Sequence, residues 1–334
     1  MNRREVMKLG VASLAATSTG ALGSLPAFAQ SKVVFKATDV HPLGYPTVEA
    51  VERMGKKLEA ATNGRISIQM FPSMQLGGEK EMIEQAQIGA LQIARVSVGP
   101  VGSVVDNLNV FNLPFVFRNT AHMRAVIDGP IGERLLKEIT DNPKSGLIGL
   151  AWMDSGARSF YNKSKDIKTV EDLKGLKFRM MGNPIFVDTA NALGANGVAM
   201  GMDQVMNALQ TGVVDGAENN PPSYDSFGHV PVAKHYSLTE HLIIPEILVF
   251  SKRAFDGMSK EDQALIMKFG KETQLEQRKL WDERTKAAMD KIKAAGVNVI
   301  TITDKKPFQD AVKPVWDKYG AKYADLVKQI QDTK

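Results

Sequence analysis

The chain has 334 residues, 42 of them basic and 37 acidic, which gives a formal net charge of +5. So small an excess argues against nucleic acid as a partner, which asks for a concentrated basic stripe; it favours an anionic small ligand only through the encounter rate. There is no cysteine, which excludes disulfides, a thiol nucleophile, Cys-ligated zinc and a lipoprotein anchor.

Residues 1–29 read as a cleavable export signal. Arg3, Arg4 and Lys8 form a basic start, Val11 to Phe28 is mostly small and apolar, and Ala27-Phe28-Ala29 closes on a small-x-small pattern. Ser, Thr, Gly and Pro interrupt the apolar stretch, so it makes a poor membrane span. The run Arg3-Arg4-Glu5-Val6-Met7-Lys8 is similar to a twin-arginine signal. Cleavage removes three basic residues and Glu5, leaving 305 residues with a net charge of +3, a length that favours two domains over one. No later stretch approaches the roughly 20 apolar residues of a transmembrane helix.

Val33 to Thr38 reads as a first strand, and Asp39 to Pro46 as a loop. Thr47 to Thr62 carries Val48, Val51, Met54, Leu58 and Ala61 at helical spacing, and Asn63-Gly64 stops it. Ile66, Ile68 and Met70 alternate as a second strand. Glu79 to Ile88 is a helix capped by Gly89, and Leu91 to Val96 a third strand. This rhythm is that of an α/β sheet with parallel crossovers. It returns with strands at Leu147 to Met153 and Leu176 to Met180, helices at Ile185 to Leu193 and Asp203 to Leu209, and a strand at Val213 to Ala217 after Gly212. Two similar lobes facing each other fit the repetition. Ser259 to Ala295 is one long helix, opened by Ser259 with Asp262 three residues on and too long for one small lobe.

Chemistry concentrates at strand ends, where ligands bind in α/β sheets. Arg179 lies just before Gly182-Asn183-Pro184 and has the planar fork that fits a carboxylate; an exposed edge arginine fits the same pattern. Asn219 follows the strand ending at Ala217, and its amide both donates and accepts; a loop-forming Asn near Pro221 fits as well. Arg158 sits at the turn after the Leu147 strand, as a ligand group or a surface charge. Arg95 ends an apolar strand and needs a partner, in a site or in a structural ion pair. The five histidines, His41, His122, His229, His235 and His241, form no metal pattern, and no Gly-x-Ser-x-Gly or phosphate-cradling loop is present.

The mature chain as a whole resembles the periplasmic binding proteins of TRAP transporters. The resemblance rests on Phe71-Pro72-Ser73-Met74-Gln75-Leu76-Gly77, Leu113-Pro114-Phe115-Val116-Phe117, Asp172 to Arg179, Ala208 to Asn219, and Thr239-Glu240-His241-Leu242. It implies two α/β lobes joined by crossing strands, a long helix touching both, and a cleft closing on ligand. It further implies that Arg179 holds a ligand carboxylate, assisted by Asn219 and Arg158. A narrower resemblance, to members that bind hexuronates such as glucuronate and galacturonate, rests on His41 to Thr47, Gly89 to Ser97, Ala151 to Asp154, Gly182-Asn183-Pro184 and Glu218 to Pro222. It makes His41, Glu79, Arg95 and Asn183 candidates for sugar hydroxyls, and His241 completes the ligand-binding set.

The resulting expectation is a monomeric α/β protein of the two-lobed periplasmic binding fold. Lobe I comprises 30–155 and about 244–283; lobe II comprises 156–243 and about 284–334. The partners are an organic acid and membrane permease subunits, with no nucleic acid, no cofactor and no metal. The rival readings are the same transport role for a C4-dicarboxylate, keto acid or aromatic acid, and an exported enzyme acting on acidic sugars. The enzyme would need a placed acid/base pair or a metal.

Overall fold

A computed structural model describes residues 32–334; the export signal lies outside the described residues. Two mixed sheets organise them. The first contains β1 (Val33–Thr38), β2 (Ile66–Phe71), β3 (Ile93–Ser97), β4 (Leu147–Met153) and β10 (Glu246–Ser251), in the order β2-β1-β3-β10-β4. The second contains β5 (Ala157–Asn162), β6 (Lys177–Met180), β7 (Asn196–Ala199), β8 (Gly216–Asn219), β9 (His235–Ile243) and β11 (Asn298–Thr301), in the order β11-β9-β5-β8-β6-β7.

The expected parallel crossovers join β1 to β2 and β3, and β6 to β7 and β8. The sheets are nevertheless mixed. The chain leaves the first sheet on β4 and returns on β10, so β10 runs antiparallel to β4 and to β3. For the same reason β5 and β9, which enter and leave the second sheet, are antiparallel to each other.

Two boundaries shift from the sequence reading because the preceding helix unwinds slowly. After Gly89, at φ +83°, Ala90 N and Leu91 N both still donate to Gln85 O, so β3 opens only at Ile93. After Gly212, Val214 N donates to Ala208 O, so β8 is Gly216–Asn219 and Asn219 is its last residue. Gly216 is required there, since a Cβ would lie 2.2 Å from Tyr161 O. Arg158 is in β5 rather than in a turn, and Arg95 is in the middle of β3.

The long helix is Lys260–Ala294, and the Ser259 hydroxyl accepts from Asp262 N at 3.1 Å. It packs on helix Pro46–Ala61 and β4 of the first layer and on helix Pro221–Ser226 of the second. It also grips the first crossing. Gln277 Oε1 accepts from Asp154 N at 2.8 Å, and Gln277 Nε2 donates to Asp154 O at 3.0 Å. Gly156, at φ +60°, lets the chain pass over Trp281; a Cβ there would lie 3.2 Å from the indole. Near the C-terminus, helix Lys313–Tyr319 packs on Pro184–Ala192 and helix Ala324–Asp332 on Pro130–Asp141, so the tail touches both layers. No helix among the described residues is long and apolar enough to cross a membrane.

Candidate ligand-binding site

A cavity of about 650 Å³ opens between the two sheets. His41, Glu79, Arg95, Ser97 and Glu246 line it from the first side; Arg158, Arg179, Asn219 and Ser223 line it from the second. Six of the eight residues expected from the sequence therefore meet here.

On the first side Arg95 is a hub for three carboxylates. Its Nε and Nη2 donate to Asp39 Oδ1 at 3.1 and 2.7 Å, and Nη1 donates to Glu79 Oε1 at 3.0 Å and to Glu246 Oε2. Arginine in an apolar strand is thus paired, and its donors are spent within the protein. Burial works against both members of the Arg95–Asp39 pair, but their attraction wins: the guanidinium rises well above its ordinary value and Asp39 falls well below. Burial raises the Glu79 carboxyl; Arg95 opposes the rise and Glu246 adds to it. Glu79 Oε1 also accepts from Ser97 N and Ser97 Oγ, both at 2.9 Å. His41 Nδ1 lies 2.8 Å from Asp39 Oδ1 and 2.9 Å from Arg95 Nη2, and Nε2 lies 3.2 Å from Ser223 Oγ. Burial and Arg95 pull the imidazole below its ordinary value. His41 stacks on Tyr45 with centroids 3.7 Å apart, and the Tyr45 and Ser223 hydroxyls share a hydrogen bond of 2.8 Å, linking the two sides.

The second side is built differently. Arg158 forms a two-pronged pair with Glu218, from Nε at 2.5 Å and Nη2 at 2.8 Å, and Nη1 donates to Asn219 Oδ1 at 2.8 Å. Asn220 N also donates to Asn219 Oδ1 at 2.9 Å. The amide oxygen is therefore occupied, and Nδ2 is the group Asn219 offers to the cavity. Arg179 is on β6, an interior strand between β8 and β7, and is 4% exposed; it is not an edge arginine. Its Nε donates to Met200 O at 2.9 Å, and its Nη1 is buried with no protein acceptor among the described residues. Burial lowers its affinity for the proton, Glu218 offsets this only in part, and Arg158 adds to the fall. Arginine nonetheless stays charged. A buried cation without a counter-ion is costly unless something pairs it.

Two expected residues lie elsewhere. Asn183 caps helix Pro184–Ala192: Oδ1 accepts from Ile185 N at 3.0 Å, and Nδ2 donates to Gly99 O at 2.9 Å and Asn109 Oδ1 at 3.0 Å. Both amide hydrogens are engaged in tying that helix to the first side, and Asn183 is not among the residues lining the cavity. His241 is fully buried, its ring stacked on Phe160 with centroids 4.1 Å apart and Nδ1 2.9 Å from Thr239 Oγ1. Its Nε2 is buried with no partner among the described residues, and burial, with Arg158, pulls the imidazole down to about 3. The sequence reading missed Asp39, Ser97, Glu218, Ser223 and Glu246. Of these Glu246 has a local signal, an acid opening the apolar run Ile247–Phe250 directly after Pro245.

The site thus offers donors from Arg179 and Asn219 at one end and carboxylate acceptors at the other. Among the described residues no cluster of His, Asp and Glu could hold a metal ion. The family model for bacterial extracellular solute-binding protein, family 7, matches residues 37–322. The chain belongs to this family. Family 7 is the DctP family of periplasmic TRAP solute-binding proteins, a transport component. This family 7 protein is similar to a TRAP periplasmic solute-binding protein from Pseudomonas putida F1 solved with bound D-glucuronate, at 53% identity and TM-score 0.88, covering 90% of this chain and 98% of that one. It is similar to one from Xanthobacter autotrophicus Py2 with bound β-D-galacturonate, at 45% identity and TM-score 0.86, covering 90% and 100%. A Citrobacter koseri relative is solved in two states. The D-glucuronate-bound form matches at 47% identity and TM-score 0.88, covering 90% and 100%. Its open apo form matches at 45% identity and TM-score 0.79, covering 89% and 98%. This chain therefore lies nearer the bound form of that relative.

Proposed function

We propose that this protein captures a hexuronate, D-glucuronate or D-galacturonate, in the periplasm and delivers it to the membrane permease subunits of a TRAP transporter. The observation that carries the reading is Arg179, a buried cation in the cavity wall with no carboxylate partner. A uronate carboxylate supplies that partner in two-pronged geometry, Asn219 Nδ2 donates beside it, and the sugar hydroxyls face the acceptors around Arg95. The uronates bound by the relatives have this distribution of groups. The division into lobes, 30–155 with about 244–283 and 156–243 with about 284–334, belongs to the same proposal, the strand links at 154–156 and 244–245 serving as hinges. Likeness to a bound rather than an open relative supports reading the described conformation as the closed one.

A ligand that binds only the folded state raises its melting temperature, by about 2.7 kcal/mol of added stability at a concentration of 100 Kd. D-Glucuronate and D-galacturonate are expected to raise it by several degrees, and succinate, a keto acid and an aromatic acid are expected to leave it in place. A shift with succinate alone sinks the uronate assignment. The responding ligand is also expected to reduce the radius of gyration in solution scattering, by favouring the closed form through contacts to both sides.

Export belongs to the same reading, with cleavage near Ala29 and the twin-arginine route. Arg3→Lys with Arg4→Lys is expected to leave uncleaved precursor in the cytoplasm; normal export of that double variant points to the general secretion route.

A further inference from the structure

The charges around the cavity do not balance locally. Arg95 serves three carboxylates, those of Asp39, Glu79 and Glu246, which leaves that side with an excess of negative charge. Arg158 serves Glu218 alone and is neutralised. Among the described residues Arg179 has no carboxylate within ion-pair distance. Among the described arginines of the wall Arg179 alone lacks a carboxylate partner and can draw in an anion, whereas the buried carboxylates around Arg95 oppose one; Lys80, which also lines the cavity, is 80% exposed and sits 4.0 Å from Glu84.

Within that opposite wall the three carboxylates are not equivalent. Asp39 and Glu246 have side chains 0% and 5% exposed, whereas that of Glu79 is 14% exposed. Glu79 Oε1 collects Arg95 and Ser97, so Oε2 is the oxygen left to meet a ligand. It suits a hydroxyl donor and opposes a second carboxylate.

We infer that the cavity admits a single negative charge and that Glu79 turns away a second, selecting monoanionic sugar acids over their dianionic counterparts. This rests on the hexuronate reading above and deepens it, since a hexarate differs from a hexuronate by oxidation of the aldehyde carbon to a carboxylate. Specificity of this kind comes from a repulsive element set against the wrong partner as much as from contacts to the right one.

The test is titration calorimetry with D-galacturonate and galactarate on the wild type, Glu79→Gln and Glu79→Ala. The wild type is expected to bind galacturonate at least about 100-fold more tightly than galactarate, and both variants to bind galactarate at least about tenfold more tightly than the wild type does. Absolute strengthening is the decisive sign, because loss of a hydroxyl acceptor alone weakens galacturonate without helping galactarate. Circular dichroism and unliganded melting check that each variant folds. A wild type that binds galacturonate and galactarate within a few-fold overturns the charge selection by itself, whatever the variants do. Galactarate affinity unchanged or weaker in both folded variants overturns the role of Glu79. A wild type that binds neither galacturonate nor D-glucuronate overturns the ligand reading instead.

Discussion

Arg179→Ala is expected to weaken hexuronate binding by about 30-fold or more while leaving the unliganded protein at least as stable as the wild type. Truncating one partner of a buried, hydrogen-bonded charge pair costs about 2–5 kcal/mol, and each 1.4 kcal/mol is about tenfold in affinity. The stability half of the expectation follows from geometry. Arg179 holds one carbonyl through Nε and leaves Nη1 unpartnered in the closed conformation, and in an open, unliganded cleft it would be solvated, so in neither does it carry a bond the fold depends on beyond Met200 O. Arg179→Lys keeps the charge, but an ammonium cannot bond Met200 O and grip a carboxylate with two prongs at once. It too is expected to bind worse. Calorimetry with glucuronate and galacturonate reads the affinity, and thermal melting without ligand reads the stability. Binding of Arg179→Ala within a few-fold of wild type would remove the carboxylate role, and a large loss of unliganded stability would make Arg179 a structural residue.

Arg95→Ala is expected to behave in the opposite way, damaging the fold first. Removing one member of a buried ion pair costs about 3–5 kcal/mol, and here the deletion strands Asp39, Glu79 and Glu246 together. The loss depends on pH. In the wild type Asp39 titrates below its ordinary value of 3.8, so its stabilising contribution is present above that value and is lost as pH falls through the lowered one. Without Arg95 the burial that raises the Asp39 and Glu79 carboxyls loses its main opponent, and they are expected to titrate above their unfolded values. The folded variant then takes up protons before the unfolded chain does, and it regains stability as pH falls. The deficit against wild type is therefore expected to be largest near pH 7–8 and to shrink towards pH 5. Urea unfolding at pH 7.5 and pH 5 measures both; an equal deficit at the two values would show that the lost packing of the side chain, not the stranded charges, is what matters.

These two arginines show how far the sequence reaches. The sequence pattern places β1, β4 and the helix Glu79–Ile88 to the residue, and the long helix to within one residue at each end: the strands are short β-rich or continuous apolar runs, and the helices have apolar spacing with a glycine or a capping residue at an edge. It also marked Arg95 and Arg179 as unusual, yet left each with two readings. Whether an arginine in a strand is paired depends on residues distant in the chain: Glu246 is 151 positions from Arg95, and no local pattern joins them. The strands β5, β9 and β10 were missed for a related reason. β5 and β10 carry Arg158 and Glu246 into the site, which breaks their apolar pattern, and in β9 the alternation of Tyr236 and Leu238 is lost at Glu240-His241. Asn183 stands in a helix cap, because Asn before Pro is the signature of a helix start as much as of a ligand contact.

The two walls of the cavity belong to different sheets, the cationic one to β5, β6 and β8 and the acidic one to β3, β10 and the helix beginning at Glu79. On the proposed reading, an arriving anion would land on the cationic wall alone, through its carboxylate, and would be enclosed by the other only as the strand links bend. Departure reverses the sequence. On the same reading, a membrane partner that levered the walls apart would not have to compete for each hydrogen bond; it would separate the hydroxyl contacts together and leave the cargo held at one point. Cargo retention would then be governed by the stiffness of the links at 154–156 and 244–245, the first of which Gln277 clasps on both its amide and its carbonyl. Loosening that clasp is a way to shorten residence time without touching the groups that recognise the ligand.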